Sequence, residues 1–211
     1  MLACGALVAE LRAVLTEQGL TDAAEVRYLP ANLHNRPEQI VPALKVELAN
    51  AVASATPGDD ADDPAERIVI FGYADCGTGG LLDAWLAELQ ATMPNVVRLP
   101  GAHCYEFFAG SELFAALHDE APGTFYLTDF LAKHFDALVW QGLGLDRHPQ
   151  LRETYFGNYT RVVLLSQSLD ETVVDAGREA AERLGLAFEH RHVGRGGLAQ
   201  PVVVSLTRKA A

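Results

Sequence analysis

What most constrains this chain is a rhythm: short apolar, β-rich runs alternate with helical stretches along most of its length. The runs 26–29, 67–72, 96–99, 124–127, 161–166, 188–192 and 201–206 read as strands. Between them, apolar residues recur at spacings of three and four over 5–18, 37–54, 80–92, 110–118, 128–139 and 169–184, the period of a helix with one buried face. Alternation of this kind predicts parallel βα units rather than segregated layers. The expectation is an α/β fold of repeated Rossmann-like βα units, with mainly parallel sheets and pseudo-symmetric lobes around a shared site. At 211 residues, 49 % of them apolar, the chain can bury the core of one such domain over 1–211, built of two or three lobes. Ser168 or Asp170 is placed to start the helix 169–184 and Gly185 to stop it, while Thr128 or Asp129 fits a helix cap. The stretch "TPGDDADDPAER" at 56–67 lacks the alternating acidic spacing and terminal Glu of a calcium loop, so it reads as a solvated connection and a junction between lobes.

Charge and length exclude several partners. A net charge of -12 repels phosphate backbones and no Lys/Arg cluster relieves it, so nucleic acid is not an expected partner. No apolar run approaches the roughly 18–20 residues that span a bilayer, so no membrane is expected either. The stretch "MLACGALVAELRAV" has no basic region ahead of its apolar residues and does not read as a signal peptide, which points to the cytoplasm. Three cysteines, an odd number, need not form structural disulfides there.

Those three cysteines are the chemistry-bearing residues. Cys76 sits in "YADCGTGGLLD", after an apolar run and before a helical segment, and Cys104 has the same setting. Cys4 shares it if a stub of strand precedes it. Groups at the carboxyl ends of parallel strands share one edge, where ligands bind, so three thiols so placed can converge. A helix N-terminus behind a thiol favours the thiolate, the form that binds metals. Gly77, Gly79 and Gly80 would let the backbone approach a bulky cofactor and offer N–H groups to sulfide or an anionic ligand. There is no C-x-x-C pair, and free cysteine is among the most buried residue types, so a core role stays open. His34, in "LPANLHNRP", lies on the same strand-to-helix edge as a fourth ligand or an acid/base. Asp75, beside Cys76, is a general base or an orienter of the thiol. His190 and His192, two apart on a strand, share a face and could hold a metal.

Together, "ACGAL" at 3–7, "LPANLHNRP" at 29–37, "YADCGTGGLLD" at 73–83, "LPGAHCYEFFAGS" at 99–111, "GTFYLTDFL" at 123–131 and "LGLDRHPQL" at 143–151 resemble the DUF1638 proteins, a domain of unknown function. The resemblance implies one-carbon chemistry, because such proteins are associated with corrinoid-dependent methyl transfer and methylated-amine metabolism. It places the family's recurring polar motifs on Cys4, His34, Cys76 and Cys104. The arrangement is also similar to that of quinolinate synthase, in which three cysteines hold a four-iron cluster with one iron open to substrate; that likeness is architectural only.

The leading expectation is a metal-dependent enzyme in which Cys4, Cys76 and Cys104 hold an iron–sulfur cluster, 4Fe-4S in preference, or zinc. The metal would act as a Lewis acid on a small polar or methylated substrate, with His34 and Asp75 handling protons. Two other expectations compete with it. One is a non-catalytic accessory protein for a corrinoid protein or methyltransferase. The other is a nucleophilic enzyme using Cys76.

Overall fold

The computed structural model describes residues 1–54 and 68–207. The acidic stretch 56–67 falls outside the described residues. The chain divides into two compact units, Met1–Cys104 with the segment from Ala199, and Tyr105–Leu198. The dividing points lie at residues 104/105 and 198/199.

The first unit is built on β1 (Leu2–Cys4), β2 (Arg27–Leu29), β3 (Val69–Gly72) and β4 (Val96–Arg98), all parallel and in the order β2-β1-β3-β4. β1 is only three residues long, and every one is buried, as a central parallel strand covered on both faces must be. Helix α1 (Val8–Glu17) follows β1 and buries Leu11, Val14 and Leu15. Helix α2 (Ile40–Ser54) buries Ile40, Leu44 and Leu48, one residue per turn. Helix α3 (Leu81–Gln90) buries Leu82 and Leu86. The chain runs from β1 outward to β2, then returns past β1 to β3. The direction of winding reverses between β1 and β3. In open α/β sheets such a reversal opens a crevice at the strands' carboxyl ends, and ligands bind there.

The second unit carries a three-stranded parallel sheet, β5 (Thr124–Thr128), β6 (Arg161–Ser166) and β7 (Ala187–His192), in that order. Val162, Val163, Leu164 and Leu165 of the central strand are fully buried. Val162 and Leu164 join one apolar cluster, Val163 and Leu165 the opposite one, as the two-residue period of a strand requires. Helices α5 (Ser111–Glu120), α6 (Asp129–Lys133) and α7 (Leu151–Phe156) frame this sheet in sequence, and a π-helical turn spans Asp136–Trp140. Helix α8 (Glu171–Leu184) starts on Asp170, whose carboxylate accepts the Thr172 amide at 3.0 Å, and stops at Gly185 in the left-handed region (φ 72°).

Midway along α8, Gly177 is a weak helix former kept by packing. A Cβ there would lie 3.1 Å from the Phe188 ring and 3.2 Å from Leu164. Gly177→Val is expected to lower the urea midpoint of unfolding, costing about 1–3 kcal/mol through overpacking. An unchanged midpoint would mean that the α8–sheet interface yields freely.

The strands expected at 26–29, 67–72, 96–99, 124–127, 161–166 and 188–192 are present within a few residues. The run 201–206 is a correction: it lies inside helix α9 (Gly196–Thr207), with Pro201 in the helix interior. Leu198 and Val202, one turn apart, are the buried residues of that helix, so tertiary burial overrides the β preference of a Val-Val-Val run. The predicted helix 128–139 is interrupted after Lys133, and α7 lies where no helix was predicted. No described helix is long and apolar enough to cross a membrane.

Candidate functional site

The β1–β3 reversal brings three neighbouring strand ends together. β1 ends at Cys4. β2 leads into a 3-10 turn, Ala31–Asn35, that carries His34. β3 leads into Tyr73, Ala74, Asp75 and Cys76. Cys4 is buried, and its Sγ lies 3.7 Å from His34 Nδ1 and accepts the Ala6 amide at 3.5 Å. His34 Nδ1 also lies 3.1 Å from the Ala31 carbonyl oxygen. A carbonyl only accepts, so Nδ1 carries the proton and Nε2 the lone pair. Nε2 is buried and has no hydrogen-bond partner. Burial also lowers the imidazole pKa, against the opposing pull of the Ala31 carbonyl, so His34 is a neutral base at pH 7.

The Tyr73 hydroxyl is the second polar atom of this kind. The side chain is 1 % exposed, and its oxygen makes no hydrogen bond of ordinary geometry. Burial, then the thiols of Cys4 and Cys76, push its pKa far up, so the phenol stays protonated and can only donate or accept as a neutral group. The same burial raises the Cys4 thiol to about 11, the Ala6 amide and the Tyr73 hydroxyl partly opposing it. Cys76 is raised to about 12, by burial first and by Cys4 second. Both thiols are therefore neutral at pH 7, contrary to the helix-activated thiolate expected from their position. Helix α3 begins only at Leu81, five residues beyond Cys76, and its terminal dipole acts within about one turn.

Cys76 is backbone-strained. Its φ is 52°, and it is the one non-glycine residue in the left-handed region among the described residues. The strain is fixed by the turn that follows. Asp75 accepts the Thr78 hydroxyl, the Gly79 amide at 3.1 Å and the Gly80 amide at 2.9 Å. Gly77, Gly79 and Gly80 all have positive φ (82°, 65° and 85°), which is why glycine stands at each. Arg98 braces the outer side, forking onto Asp83 at 2.7 and 3.2 Å and donating to the Gly101 carbonyl at 2.9 Å. Burial favours the neutral acid at Asp75, but the Thr78 hydroxyl, the Gly80 and Gly79 amides and Arg98 outweigh it and hold the pKa below the usual range.

These contacts bear on the expected roles. Asp75 spends its carboxylate on the turn and is a poor proton acceptor. The Gly79 and Gly80 amides point at Asp75 and are not offered to a sulfide or an anion. The three-cysteine ligand set is not formed. Cys104 opens α4 (Cys104–Ala109), six residues beyond the end of edge strand β4. β4 is two strands from β1, or about 10 Å at the usual strand spacing. Two thiols and an imidazole suit zinc by donor chemistry. Yet among the described residues no group of three or more His, Cys, Asp or Glu is arranged to hold a metal ion. A four-iron cluster with one open iron needs three thiolates, and the residues present do not fit it. Tyr73 carries no sequence signal: it reads as one more apolar residue at the end of a strand, and only its burial against Cys4 and Cys76 marks its hydroxyl.

A family model described as a protein of unknown function (DUF1638) matches residues 28–201. No curated protein and no solved structure matches the chain.

Proposed function

The chain belongs to the DUF1638 family, and from the geometry at the β1–β3 reversal we propose that it is a thiol-dependent enzyme acting on a small polar carbonyl compound. The observation that carries this reading is a buried base with nothing to accept from: His34 Nε2 has no hydrogen-bond partner, while its other ring nitrogen lies against Cys4, the thiol toward which the buried Tyr73 hydroxyl also turns. A buried polar atom without a partner costs about 1–3 kcal/mol. A thiol proton is what that nitrogen lacks, and a substrate carbonyl oxygen is a stronger acceptor for the Tyr73 hydroxyl than the Cys4 sulfur. Cys76, on its strained turn, supplies the nucleophile, and strain of this kind clusters at working sites.

In an acyl compound the Cys76 sulfur attacks the carbonyl carbon. The carbonyl pair moves to oxygen, where the Tyr73 hydroxyl stabilises the developing charge. The thiol proton passes to the neutral His34 imidazole, which returns it to the departing group as the carbonyl reforms. The product is an acyl-Cys76 thioester and a protonated leaving group. Cys4 holds His34 and Tyr73 in place, and Asp75 positions Cys76. A methylated or one-carbon substrate, and a corrinoid or methyltransferase partner, are supported by the resemblance in sequence alone.

The test is transfer from a small acyl thioester at pH 7.5, read by peptide mass spectrometry. One acyl group per chain is expected, on Cys76, with Tyr73→Phe and His34→Gln each slowing its appearance about tenfold to a hundredfold. Acylation of Cys76 no faster than in the urea-unfolded chain would sink the reading.

A further inference from the structure

A second cluster stands at the carboxyl end of the other sheet. Ser166, fully buried, closes β6, and its Oγ lies 2.8 Å from His190 Nε2 and 3.2 Å from His192 Nδ1. Register fixes this meeting. On β7, Ser166 is paired with His192 and Leu164 with His190, so the serine and both imidazoles lie on one face. The Val193 and Gly194 amides donate to the Ser166 carbonyl at 2.9 and 3.1 Å, holding the chain that leaves the strand. A hydroxyl has one proton to give. It can donate to one ring nitrogen only and must accept an N–H from the other, although both nitrogens are aimed at the same point.

We propose that His190, His192 and Ser166 form a site for a first-row divalent cation of the zinc or nickel class. Two imidazole nitrogens converging on one point are the borderline donors such ions prefer, and the serine oxygen offers a third, weaker contact. β7 is the edge strand and both histidine side chains are exposed, so water completes the coordination and the ion exchanges with solvent. The chain's net charge of -12 raises the local concentration of cations.

Two other uses of the cluster fit less well. A serine nucleophile would need an accessible oxygen, and this one is fully buried. An anion would need free backbone amides at the strand end. Those of Gln167 and Ser168 are both taken, at 2.9 and 3.0 Å, by the Asp129 carboxylate.

Calorimetric titration of the untagged full chain with Zn(II), and separately with Ni(II), tests the site. One ion per chain is expected. His190→Ala or His192→Ala should weaken binding at least tenfold, and the double variant should abolish it; both positions are exposed, so the fold tolerates the change. In a nitrogen-15 spectrum, Ni(II) should broaden the amides of 164–166 and 188–194, which carry or adjoin the two imidazoles. A Cys4→Ser/Cys76→Ser variant should bind as the natural chain does. Unchanged affinity in the double histidine variant, or loss of the ion with the two thiols, would overturn the proposal.

Discussion

Iodoacetamide is expected to alkylate Cys76 of the folded chain about a thousandfold more slowly than the same cysteine in the urea-unfolded chain at pH 7.5. Haloacetamides react with thiolate, and burial together with Cys4 moves this thiol from an ordinary value of 9.0 up to about 12. The folded-state rate should climb close to tenfold per pH unit until about pH 12, far beyond the point where an exposed cysteine levels off. Acylation assisted by His34 should instead level off near neutrality, because the base is an imidazole already neutral at pH 7. The two profiles separate a merely buried thiol from one with a base at hand. Stability follows the same shift. Above about pH 9 the unfolded chain ionises its thiols while the folded chain keeps them protonated, so the stabilisation is intact below pH 9 and is lost as pH rises. For Cys4, whose folded value is about 11, the slope is about 1.4 kcal/mol per pH unit between those limits. Alkaline denaturation curves for Cys4→Ala should be less steep by that amount, keeping only the part due to Cys76. Equal alkylation rates in folded and unfolded chains would remove the basis for it.

Asp129→Ala should be the most damaging single change in the second unit, lowering stability by roughly 3–5 kcal/mol in urea unfolding. Asp129 is buried and follows β5 directly. Its carboxylate accepts the amides of Gln167 and Ser168 and the Ser168 hydroxyl, while its own amide donates to the Gln167 side chain at 3.1 Å. Those contacts tie the ends of β5 and β6, 38 residues apart in sequence, into one closed ring of hydrogen bonds. Removing the carboxylate leaves the buried Gln167 amide and the part-buried Ser168 amide without their acceptor. Asp170→Ala provides the comparison, since it deletes only an exposed helix cap and should cost distinctly less. A similar loss for both substitutions would show that solvent reaches the β5–β6 loop ends.

How far the sequence revealed this molecule depended on range. Whatever rests on nearest neighbours was readable: the Asp170 start and Gly185 stop of α8, the Thr128 cap of α6, the shared face of His190 and His192. The strand–helix alternation gave the parallel sheets. Strand order was not readable, because it depends on which strand each crossover passes, and order decides which thiols meet. Cys4 and Cys76 leave adjacent strands, whereas Cys104 follows the edge strand, although all three look alike in their local settings. The glycines of "CGTGG" were legible as a special turn, but their purpose was inverted. Their conformations and amides serve Asp75, a contact four and five residues back in the chain that composition cannot signal. Ser166 was likewise invisible as a partner of two histidines until the β6–β7 register aligned them.

The backbone at residue 76 sets what a substitution there would do. A left-handed residue bearing a β-carbon costs about 1 kcal/mol that glycine would avoid, and glycine already fills three of the next four positions. Cys76→Gly would therefore relieve the turn of that cost, and the sulfur is the one thing the change would remove.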